Sequence, residues 1–384
     1  MKIIQTPPRF YPYIGGTEQV AFYLCRELAK KGHYVKVICA NEPDVGDGII
    51  EHIEVRRLPY IGKMANTNIT LSLIMELMKE DFDVVHTHLP HPWSADMSAI
   101  AALMKNKPLF LTYYNDITGI GINKLIAKTY NFALLRFLLR RAKKIFITHE
   151  NYLKTSPFLK SFKDKIVITP PGVDLDRFKP LNLPKNEENI IFFLSRLDRF
   201  HLYKGLDFLL KAIKRIAPKI PLKLYVGGEG ELIYDYKRFV KENGIEEKVV
   251  FLGRLDNEQV VKYYNLCDVF VLPSISSTQE GFGLVALEAM ACKKPVIVTD
   301  IVGVAENVKR YKAGIVIPPK DIELLSEGLE YLLLNKDKAE EMGFNAYHLV
   351  KDRYTWQKHA QIVEEEYLKT IDHRLKTEDE RIRR

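Results

Sequence analysis

The segment Glu280-Gly-Phe-Gly-Leu-Val-Ala-Leu-Glu288 holds two carboxylates and two glycines in an arrangement suited to binding a ligand. The glycines open a predicted helix, where unpaired backbone N–H groups can bind an anion or a hydroxyl. Glu288 lies further along the helix among apolar residues, so its carboxylate needs a hydrogen-bonding partner. A ribose diol is such a partner. A helix with two unrelated glutamates is the simpler alternative.

A second segment places two cations near predicted element ends. Arg196 follows a strand directly, and Lys204 opens the next helix. Fixed cations at such places lower the barrier to the departure of a diphosphate. Since the chain has 57 basic residues, two solvated side chains are the alternative, and only their position at a strand end favours a site.

The pair Gly15-Gly16 stands after the first predicted strand and before a helix. A Gly-Gly loop there lets the backbone approach a phosphate or a sugar. The pattern is not GxGxxG, which argues against an NAD site. An ordinary tight turn has the same sequence.

Histidines after the third predicted strand resemble a ligand cluster. His86 and His88 share one face of that strand, and His91 follows. A zinc site needs three or four ligands, and no fourth is evident. For His88, contact with an acceptor and a structural role both stay open. The DxD pattern of Asp174 and Asp176 lies at a domain junction, and we expect no metal there either.

Short apolar runs alternate with longer amphipathic segments, which predicts parallel sheets wrapped by helices. The clearest helix covers residues 18–30. Strands are predicted in the first half at 2–6, 35–39, 83–87, 109–113, 144–148 and 166–169. Strands are predicted in the second half at 190–194, 222–226, 249–252, 268–272, 295–299 and 314–317. A polar, proline-bearing stretch at 176–188 predicts the linker between two doubly wound units.

Several motifs in a fixed order carry a family resemblance. They are the Gly-Gly loop, HTH, PPGVDLDRF, SRL followed by KG, VGGEGEL, FLGRL and EGFGLVALEAMACKKPVI. Together they resemble glycosyltransferase family 4, the retaining enzymes also called glycosyl transferases group 1, over nearly the whole chain. The resemblance implies an α/β protein of GT-B architecture, with two Rossmann-like doubly wound domains facing a central cleft.

The same resemblance implies an acceptor-side domain at 1–178 and a nucleotide-sugar domain at 188–352. A final helix at 355–371 would return to the first domain, and the charged tail 373–384 is expected to be disordered. Donor-binding positions would be Gly15, Gly16, Arg196, Lys204, Gly228, Arg254, Leu255, Glu280, Phe282, Gly283, Leu284 and Glu288.

Three of these residues would act in the transfer itself. Arg196 and Lys204 would hold the diphosphate, and Glu280 would touch the transferred sugar. Backbone N–H groups of residues 282–284 would lie beside it, Glu288 would bind the ribose, and Gly228 with 254–255 would border the base. No metal or other cofactor is implied.

Two departures from the family pattern stand out. The spacing from Arg196 to Lys204 is longer than in many relatives. Tyr114 stands where a histidine often lies near the acceptor, and tyrosine is a poor base near neutral pH. A mechanism in which the leaving phosphate accepts the acceptor's proton does not need that histidine. We place His88 and Tyr114 on the acceptor side.

The charge and composition of the chain limit which partners and compartment are expected. The formal charge of +8 favours something anionic, but no RNA-binding signature or zinc-finger spacing is present, so nucleic acid is not expected. The dispersed cysteines favour a reducing compartment. With no signal peptide and no apolar run of ~18 residues, we expect a cytoplasmic protein. The basic stretch 122–144 predicts a helix that either lies on an anionic membrane surface at the inner face or packs with its basic end solvated.

The sequence thus predicts transfer of a hexosyl group from a UDP- or GDP-sugar to a glycan, lipid or small-molecule acceptor. A non-catalytic nucleotide-sugar or glycan-binding protein is the first alternative. A nucleotide-sugar epimerase on the same fold is the second.

Overall fold

The chain forms two compact units in a computed structural model that describes residues 1–13, 15–64, 67–117, 122–184, 188–277 and 279–382. The first unit comprises Met1–Pro171 and Trp356–Arg384, and the second comprises Gly172–Thr355. Among the described residues, no helix has the length and apolar character needed to cross a membrane.

The first unit is built on a sheet of mostly parallel strands. Its strands are β1 (Lys2–Thr6), β2 (Tyr34–Ala40), β3 (Gly48–Ile50), β4 (Ile53–Leu58), β5 (Lys63–Met64), β6 (Thr67–Asn68), β7 (Val84–Leu89), β8 (Leu109–Tyr113), β9 (Lys144–Ile147) and β10 (Ile166–Ile168). The order in the described sheet is β10-β9-β8-β7-β1-β2-β4-β3, with β3 antiparallel to β4, and β5 pairs with β6 in a separate hairpin.

Helices alternate with these strands along the chain. They are α1 (Gly16–Lys30), α2 (Leu73–Lys79), α3 (Pro92–Met104), α4 (Ile122–Phe132), α5 (Leu134–Arg141) and α6 (Asn151–Thr155). The single helix predicted at 122–144 is therefore wrong: it is divided at Ala133, and Lys144 already begins β9. The break lets Leu135, Leu138 and Leu139 of α5 turn into the core.

The second unit has a sheet in which every described pairing is parallel. Its strands are β11 (Asn189–Leu194), β12 (Leu222–Gly227), β13 (Val249–Gly253), β14 (Val269–Leu272), β15 (Val296–Thr299) and β16 (Gly314–Ile317). Its helices are α7 (Leu206–Ile216), α8 (Ile233–Glu242), α9 (Asn257–Leu266), α10 (Leu284–Ala291), α11 (Ala305–Arg310), α12 (Ile322–Leu334) and α13 (Lys336–Arg353). The sheet order is β13-β12-β11-β14-β15-β16.

Both sheets reverse their winding direction beside their first strand. The reversal lies between β1 and β7 in the first unit and between β11 and β14 in the second. Ligands of open α/β sheets bind at the carboxyl ends of the strands that flank such a reversal. The loops after β1 and β7, and those after β11 and β14, are therefore the places where a ligand is expected to bind.

Strand β11 shows why these sequences form buried strands. Ile191 and Phe193 pack with α7 on one face, while Ile190 and Phe192 pack with α10 on the other. Because helices cover both faces of a parallel sheet, its strands are apolar at consecutive positions rather than at alternate ones.

The division between the units comes earlier than the linker predicted at 176–188. It falls after Pro171. Val173 and Phe178 are buried in the core of the second unit, and Val173 N donates to Tyr354 O at 2.9 Å. The prediction relied on polarity and prolines, which do not reveal that two apolar residues in this stretch are packed. Residues 185–187 of the predicted linker lie outside the described residues.

The last helix, α14 (Trp356–Ile382), belongs to the first unit, as predicted for 355–371. Its buried residues recur at helical spacing: Ala360, Val363 and Tyr367 lie in the core, and Trp356 stacks on Tyr23 of α1 at 4.7 Å. The expectation of a disordered tail from residue 373 is wrong as far as Ile382, because the helix continues. Leu, Lys, Glu and Arg, which favour helix, dominate this stretch.

Candidate active site

Glu280 is a buried carboxylate with donors on both of its oxygens. Its side chain is 2% exposed. Lys204 Nζ donates to Oε1 at 3.0 Å and to Oε2 at 2.9 Å. Gly281 N donates to Oε1 at 3.1 Å, and Ser274 Oγ donates to Oε2. A carboxylate accepts about four hydrogen bonds. A sugar hydroxyl could therefore bind Glu280 only by replacing one of these donors.

Lys204 reaches Glu280 because the loops after β11 and β14 lie against each other. Ile275 N donates to Tyr203 O at 2.7 Å. Gly205 has a φ of +77°, and a Cβ there would lie 2.1 Å from Pro273 O. Only glycine fits a backbone approach this close. The two elements that flank the reversal of the sheet thus bring a cation and an anion into contact.

Lys204 stays charged at this place. Burial by itself lowers its pKa, but the negative charge of Glu280 and the contacts with Tyr203 raise it more, so the pKa of Lys204 lies above its usual value. The ammonium also lies 5.1 Å from the centroid of the Tyr203 ring. A permanent cation is what a departing diphosphate requires.

Arg196 lies at the end of β11, as predicted, but its ion pair is a different one. Its side chain is 73% exposed, and its Nε lies 3.0 Å from Asp198 Oδ2. Asp198 Oδ1 accepts from His201 N at 3.1 Å and from His201 Nδ1 at 2.6 Å. The structure therefore brings Lys204 and Glu280 together and holds Arg196 through Asp198.

Asp198 is ionised in this environment. Burial would raise its pKa, but the hydrogen bonds from His201 and the positive charges nearby outweigh that effect and lower the pKa of Asp198. Sequence reasoning missed Asp198, His201 and Ser274. The first two had a signal, since an aspartate that precedes a helical turn commonly accepts from the third backbone N–H after it.

Glu288 has a protein partner where the sequence suggested a ribose. Tyr264 Oη donates to its Oε2 at 2.8 Å. Burial raises the pKa of Glu288 to about 7, against the opposing effects of Tyr264 and Arg177. The predicted apolar surroundings are present, and the carboxylate titrates near neutral pH.

The start of α10 lies beside Glu280 in the chain. Gly283 has a φ of +85°, and a Cβ there would lie 2.6 Å from Val302 Cγ1. The Phe282 ring packs on Tyr354 with centroids 5.3 Å apart. Leu284 is the first helical residue, so its backbone N–H has no acceptor within the helix. The predicted use of the backbone N–H groups at 282–284 in donor binding stays a prediction.

Gly228 and the segment 254–255 border one edge of the second sheet. A Cβ at Gly228, whose φ is +126°, would lie 1.7 Å from Ser195 O, and Gly228 N donates to Gly253 O at 2.8 Å. Arg254 is exposed and lies 3.9 Å from Glu229 Oε1. The Leu255 side chain packs beneath, against the core of the unit.

In the first unit, the Gly-Gly loop is supported by a buried ion pair that the sequence did not reveal. Gly15 precedes α1 in an extended conformation, and a Cβ there would lie 2.3 Å from Glu18 Oε2. Arg9 Nε donates to Glu18 Oε1 at 3.1 Å, and both side chains are almost fully buried. Gly16 has open space around it.

His88 is an interior residue of the first unit. It is 1% exposed, its Nδ1 lies 3.1 Å from Tyr114 Oη, and its Nε2 lies 2.9 Å from Gln5 Oε1. Burial, reinforced by His359 and His91, lowers the pKa of His88 to about 3. A neutral, fully bonded ring favours the structural role over direct contact with an acceptor, and Tyr114 is tied to it.

The neighbouring His86 is bonded in the same way. Its Nδ1 contacts Tyr367 Oη of α14, and its Nε2 lies 2.7 Å from Thr112 Oγ1. The ring nitrogens of both histidines are therefore hydrogen-bonded to groups of the first unit and are not available to bind a metal ion. In the part of the chain that the structure describes, no group of three or more acidic, histidine or cysteine side chains is arranged to hold a metal.

Comparison with known proteins agrees with this fold. The family described as Glycosyltransferase Family 4 matches residues 14–177, and the family described as Glycosyl transferases group 1 matches residues 176–349. O-antigen chain mannosyltransferase C of Escherichia coli is 29% identical over 92% of this chain and 95% of its own length. D-rhamnosyltransferase WbpZ of Pseudomonas aeruginosa is 28% identical over 89% of each chain.

Solved structures share the fold. Sucrose-phosphate synthase from Thermosynechococcus elongatus superposes with a TM-score of 0.74 at 21% identity, covering 97% of this chain and all of that one. Anabaena Alr3699/HepE, solved in complex with UDP-glucose, superposes with a TM-score of 0.73 at 17% identity, covering 95% of this chain and 99% of that one.

Two Rossmann-like units, each with its loops at a reversal of the sheet, define the GT-B class of glycosyltransferases. This chain belongs to glycosyltransferase family 4 and is a hexosyltransferase.

Proposed function

We propose that this enzyme transfers a hexosyl group, with retention of configuration, from a nucleotide-diphosphate sugar to a glycan, lipid or small-molecule acceptor. One observation carries the proposal: the partly buried Lys204 contacts both oxygens of the buried Glu280 where the sheet of the second unit reverses. Leaving-group charge would develop near this cation, and a fixed charge in a site of low polarity stabilises it strongly. No metal or other cofactor takes part in the proposed reaction.

Three residues have different roles in the proposed transfer. Lys204 and Arg196 bind the diphosphate, while Glu280 keeps Lys204 in place and faces the sugar after exchange of one hydrogen bond. Since the acceptor positions of Glu280 are already occupied, it acts by charge and orientation rather than as a nucleophile. The leaving phosphate would accept the acceptor's proton, so Tyr114 need not serve as a base.

GDP-mannose is the first donor to test. The Escherichia coli relative is named a mannosyltransferase, and a Mycolicibacterium smegmatis relative, 29% identical over 49% of this chain, is named GDP-mannose-dependent. UDP-glucose is the second donor, because Alr3699/HepE was solved with it.

A donor-hydrolysis assay tests the proposal directly. We expect the enzyme to release nucleoside diphosphate slowly from one of these donors. NMR of the product should show that the transferred sugar keeps its anomeric configuration. Lys204→Ala and Arg196→Ala should each raise the activation free energy by roughly 2–4 kcal/mol and slow the release accordingly. If no nucleoside diphosphate is released from GDP-mannose, UDP-glucose or ADP-glucose, the proposal is contradicted. An inverted product would contradict only the stereochemistry, and an epimerised donor would support the epimerase alternative.

A peripheral contact with anionic membrane is proposed as well. Helices α4 and α5 expose apolar side chains, with Phe132 70% and Leu134 49% exposed, next to the exposed basic residues Lys128, Arg136 and Arg140. Such a surface binds anionic lipid through both kinds of group. Flotation with phosphatidylglycerol vesicles should recover the enzyme at low salt. Recovery unchanged in an Arg136→Ala/Arg140→Ala variant would count against this surface.

A further inference from the structure

The segment between Arg196 and Lys204 has a feature that the proposed transfer has not used. It contains Asp198 and His201, and Lys204 follows Arg196 by eight positions. The extra length forms a short 3₁₀ turn, Arg199–Lys204, that ends at Gly205.

Asp198 caps the start of the turn and contacts both neighbouring basic groups. Its Oδ2 lies 3.0 Å from Arg196 Nε, and its Oδ1 lies 2.6 Å from His201 Nδ1. Since an ionised carboxylate can only accept, Nδ1 of His201 carries a proton. One buried carboxylate thus holds the inner nitrogen of a guanidinium and the inner nitrogen of an imidazole.

The outer nitrogens of both groups are left for another partner. Within the described residues, no hydrogen bond uses Nη1 or Nη2 of Arg196, or Nε2 of His201. The His201 side chain is 28% exposed and that of Arg196 is 73% exposed, so both can be reached from solvent. Nη1 and Nη2 of Arg196 are always donors, and Nε2 of His201 is a donor when the ring is the imidazolium, so both groups are suited to binding an anion.

The backbone around Asp198 is held in place by the neighbouring loop. Leu197 N donates to Glu229 O and Leu232 N donates to Leu197 O, each at 2.9 Å. A Cβ at Gly230 would lie 2.3 Å from Leu197 O, so the two loops are in direct contact. Asp198 therefore starts from a fixed place, which lowers the entropy cost of ordering the donors it holds.

We propose that Asp198 is a positioning residue that presets Arg196 and His201 as donors to the donor diphosphate, and that His201, as the imidazolium with a proton on each nitrogen, donates from Nε2 to that diphosphate directly beside Lys204. The inference rests on the proposed function, because it names further residues at the same diphosphate site. Asp198 acts only through its two partners. The same turn connects them to Lys204, whose ammonium lies on Glu280.

Calorimetric titration of the full chain tests this. Each protein is titrated with GDP and with guanosine, or with the UDP–uridine or ADP–adenosine pair if the enzyme prefers that base. The ratio of the two affinities reports on the diphosphate alone, since the nucleoside is common to both. Relative to wild type, we expect His201→Asn and Asp198→Asn each to reduce this ratio about tenfold, the effect typical of losing one charge-assisted hydrogen bond. Affinity for the nucleoside should stay unchanged.

Matched controls separate this role from a structural one. Asp321 accepts from Leu324 N at the start of α12, as Asp198 accepts from His201 N, and His348 is an exposed histidine on α13. Asp321→Asn and His348→Asn should keep the wild-type ratio. Should Asp198→Asn fail to fold, His201→Asn still decides, because its side chain is partly exposed.

The outcomes are distinct. A wild-type ratio in a folded His201→Asn variant overturns the inference while leaving the proposed function intact. A wild-type enzyme that binds none of GDP, UDP and ADP overturns the proposed function and this inference with it. A reduced ratio in His201→Asn alone, with Asp198→Asn folded and unchanged, overturns the positioning role of Asp198.

Discussion

At the scale of single residues, the site depends on charges that are held away from water. Glu280 and Lys204 form a buried ion pair whose side chains are 2% and 15% exposed. Removing one partner of such a pair leaves the other charged and unsatisfied, which costs more than the pair itself contributes. The proposed catalytic role and the structural role are therefore coupled at these two positions, so variants need measurements of both activity and stability.

Lys204→Met should lower the free energy of unfolding by about 3 kcal/mol, since it leaves the Glu280 charge buried without its cation. Adding Glu280→Gln to that variant should recover part of the loss, because the uncompensated charge is then gone. Denaturant unfolding followed by circular dichroism measures both. Lys338→Met, which removes one partner of an exposed pair on α13, is the control and should leave the midpoint in place. A fully stable Lys204→Met variant would contradict the burial argument.

Glu288 should make stability depend on pH near neutrality. Its folded pKa of about 7 lies above the value of 4.5 expected without burial, so the folded state holds a proton that the unfolded state has released. Between about pH 4.5 and 7 the free energy of unfolding therefore falls as pH rises, by up to about 3 kcal/mol, and it levels off above that window.

The Glu288→Gln variant should lack this slope. Its unfolding free energy relative to wild type should rise from pH 5 to pH 8, measured by urea titrations at each pH. Glu258→Gln, at an exposed position on α9, should run parallel to wild type. Parallel curves for Glu288→Gln and wild type would show that burial does not perturb this carboxylate.

At the scale of elements, the site is made by loops that touch at glycines. Gly205 brings the turn after β11 against Pro273 after β14, and Gly228 brings the loop after β12 against Ser195. Neither contact leaves room for a Cβ. The strands place these loops at one edge of the sheet, and the glycines set how closely they approach.

Gly228→Ala should destabilise the second unit and weaken nucleotide binding, since the new Cβ would lie 1.7 Å from Ser195 O. Gly244→Ala is the matched control: its φ of +66° is also positive, but no atom lies within 4 Å of its Cβ position. The control should cost only the backbone strain of about 1 kcal/mol, and Gly228→Ala clearly more. Thermal unfolding and GDP or UDP titration of both variants measure the difference. Equal effects would mean that the close approach is not required.

At the scale of the whole molecule, the chain runs through the second unit and then completes the first. The second unit is one continuous segment, Gly172–Thr355, whereas the first needs α14. Helix α14 supplies Tyr367, which is fully buried, accepts a hydrogen bond from Gln5 Nε2 at 3.2 Å and contacts His86 Nδ1. A unit with its own core in one segment can fold alone.

The fragment 172–355 should therefore fold by itself and bind nucleoside diphosphate, while the fragment 1–171 without α14 should not reach a native fold. Cooperative thermal unfolding and dispersed NMR spectra distinguish the two results. Adding a separate 356–382 peptide should restore structure to the 1–171 fragment, which a random aggregate would not do. Cooperative folding of 1–171 alone would show that α14 is dispensable.

Local patterns in the sequence were enough to predict the two doubly wound units, most strand positions and the glycine loops. They also identified Arg196, Lys204 and Glu280 as candidate site residues. Hydrophobic runs and glycines act through nearest neighbours in the chain, so they can be interpreted without a fold. Only the tertiary structure decided which side chains meet. Lys204 and Glu280 are 76 positions apart, Ser274 completes their contact, and Nε of the largely exposed Arg196 lies against Asp198. Those partners depend on how loops of different strands pack, which no local pattern encodes. The place of the unit boundary and the length of α14 were missed for the same reason, since both depend on burial against distant elements.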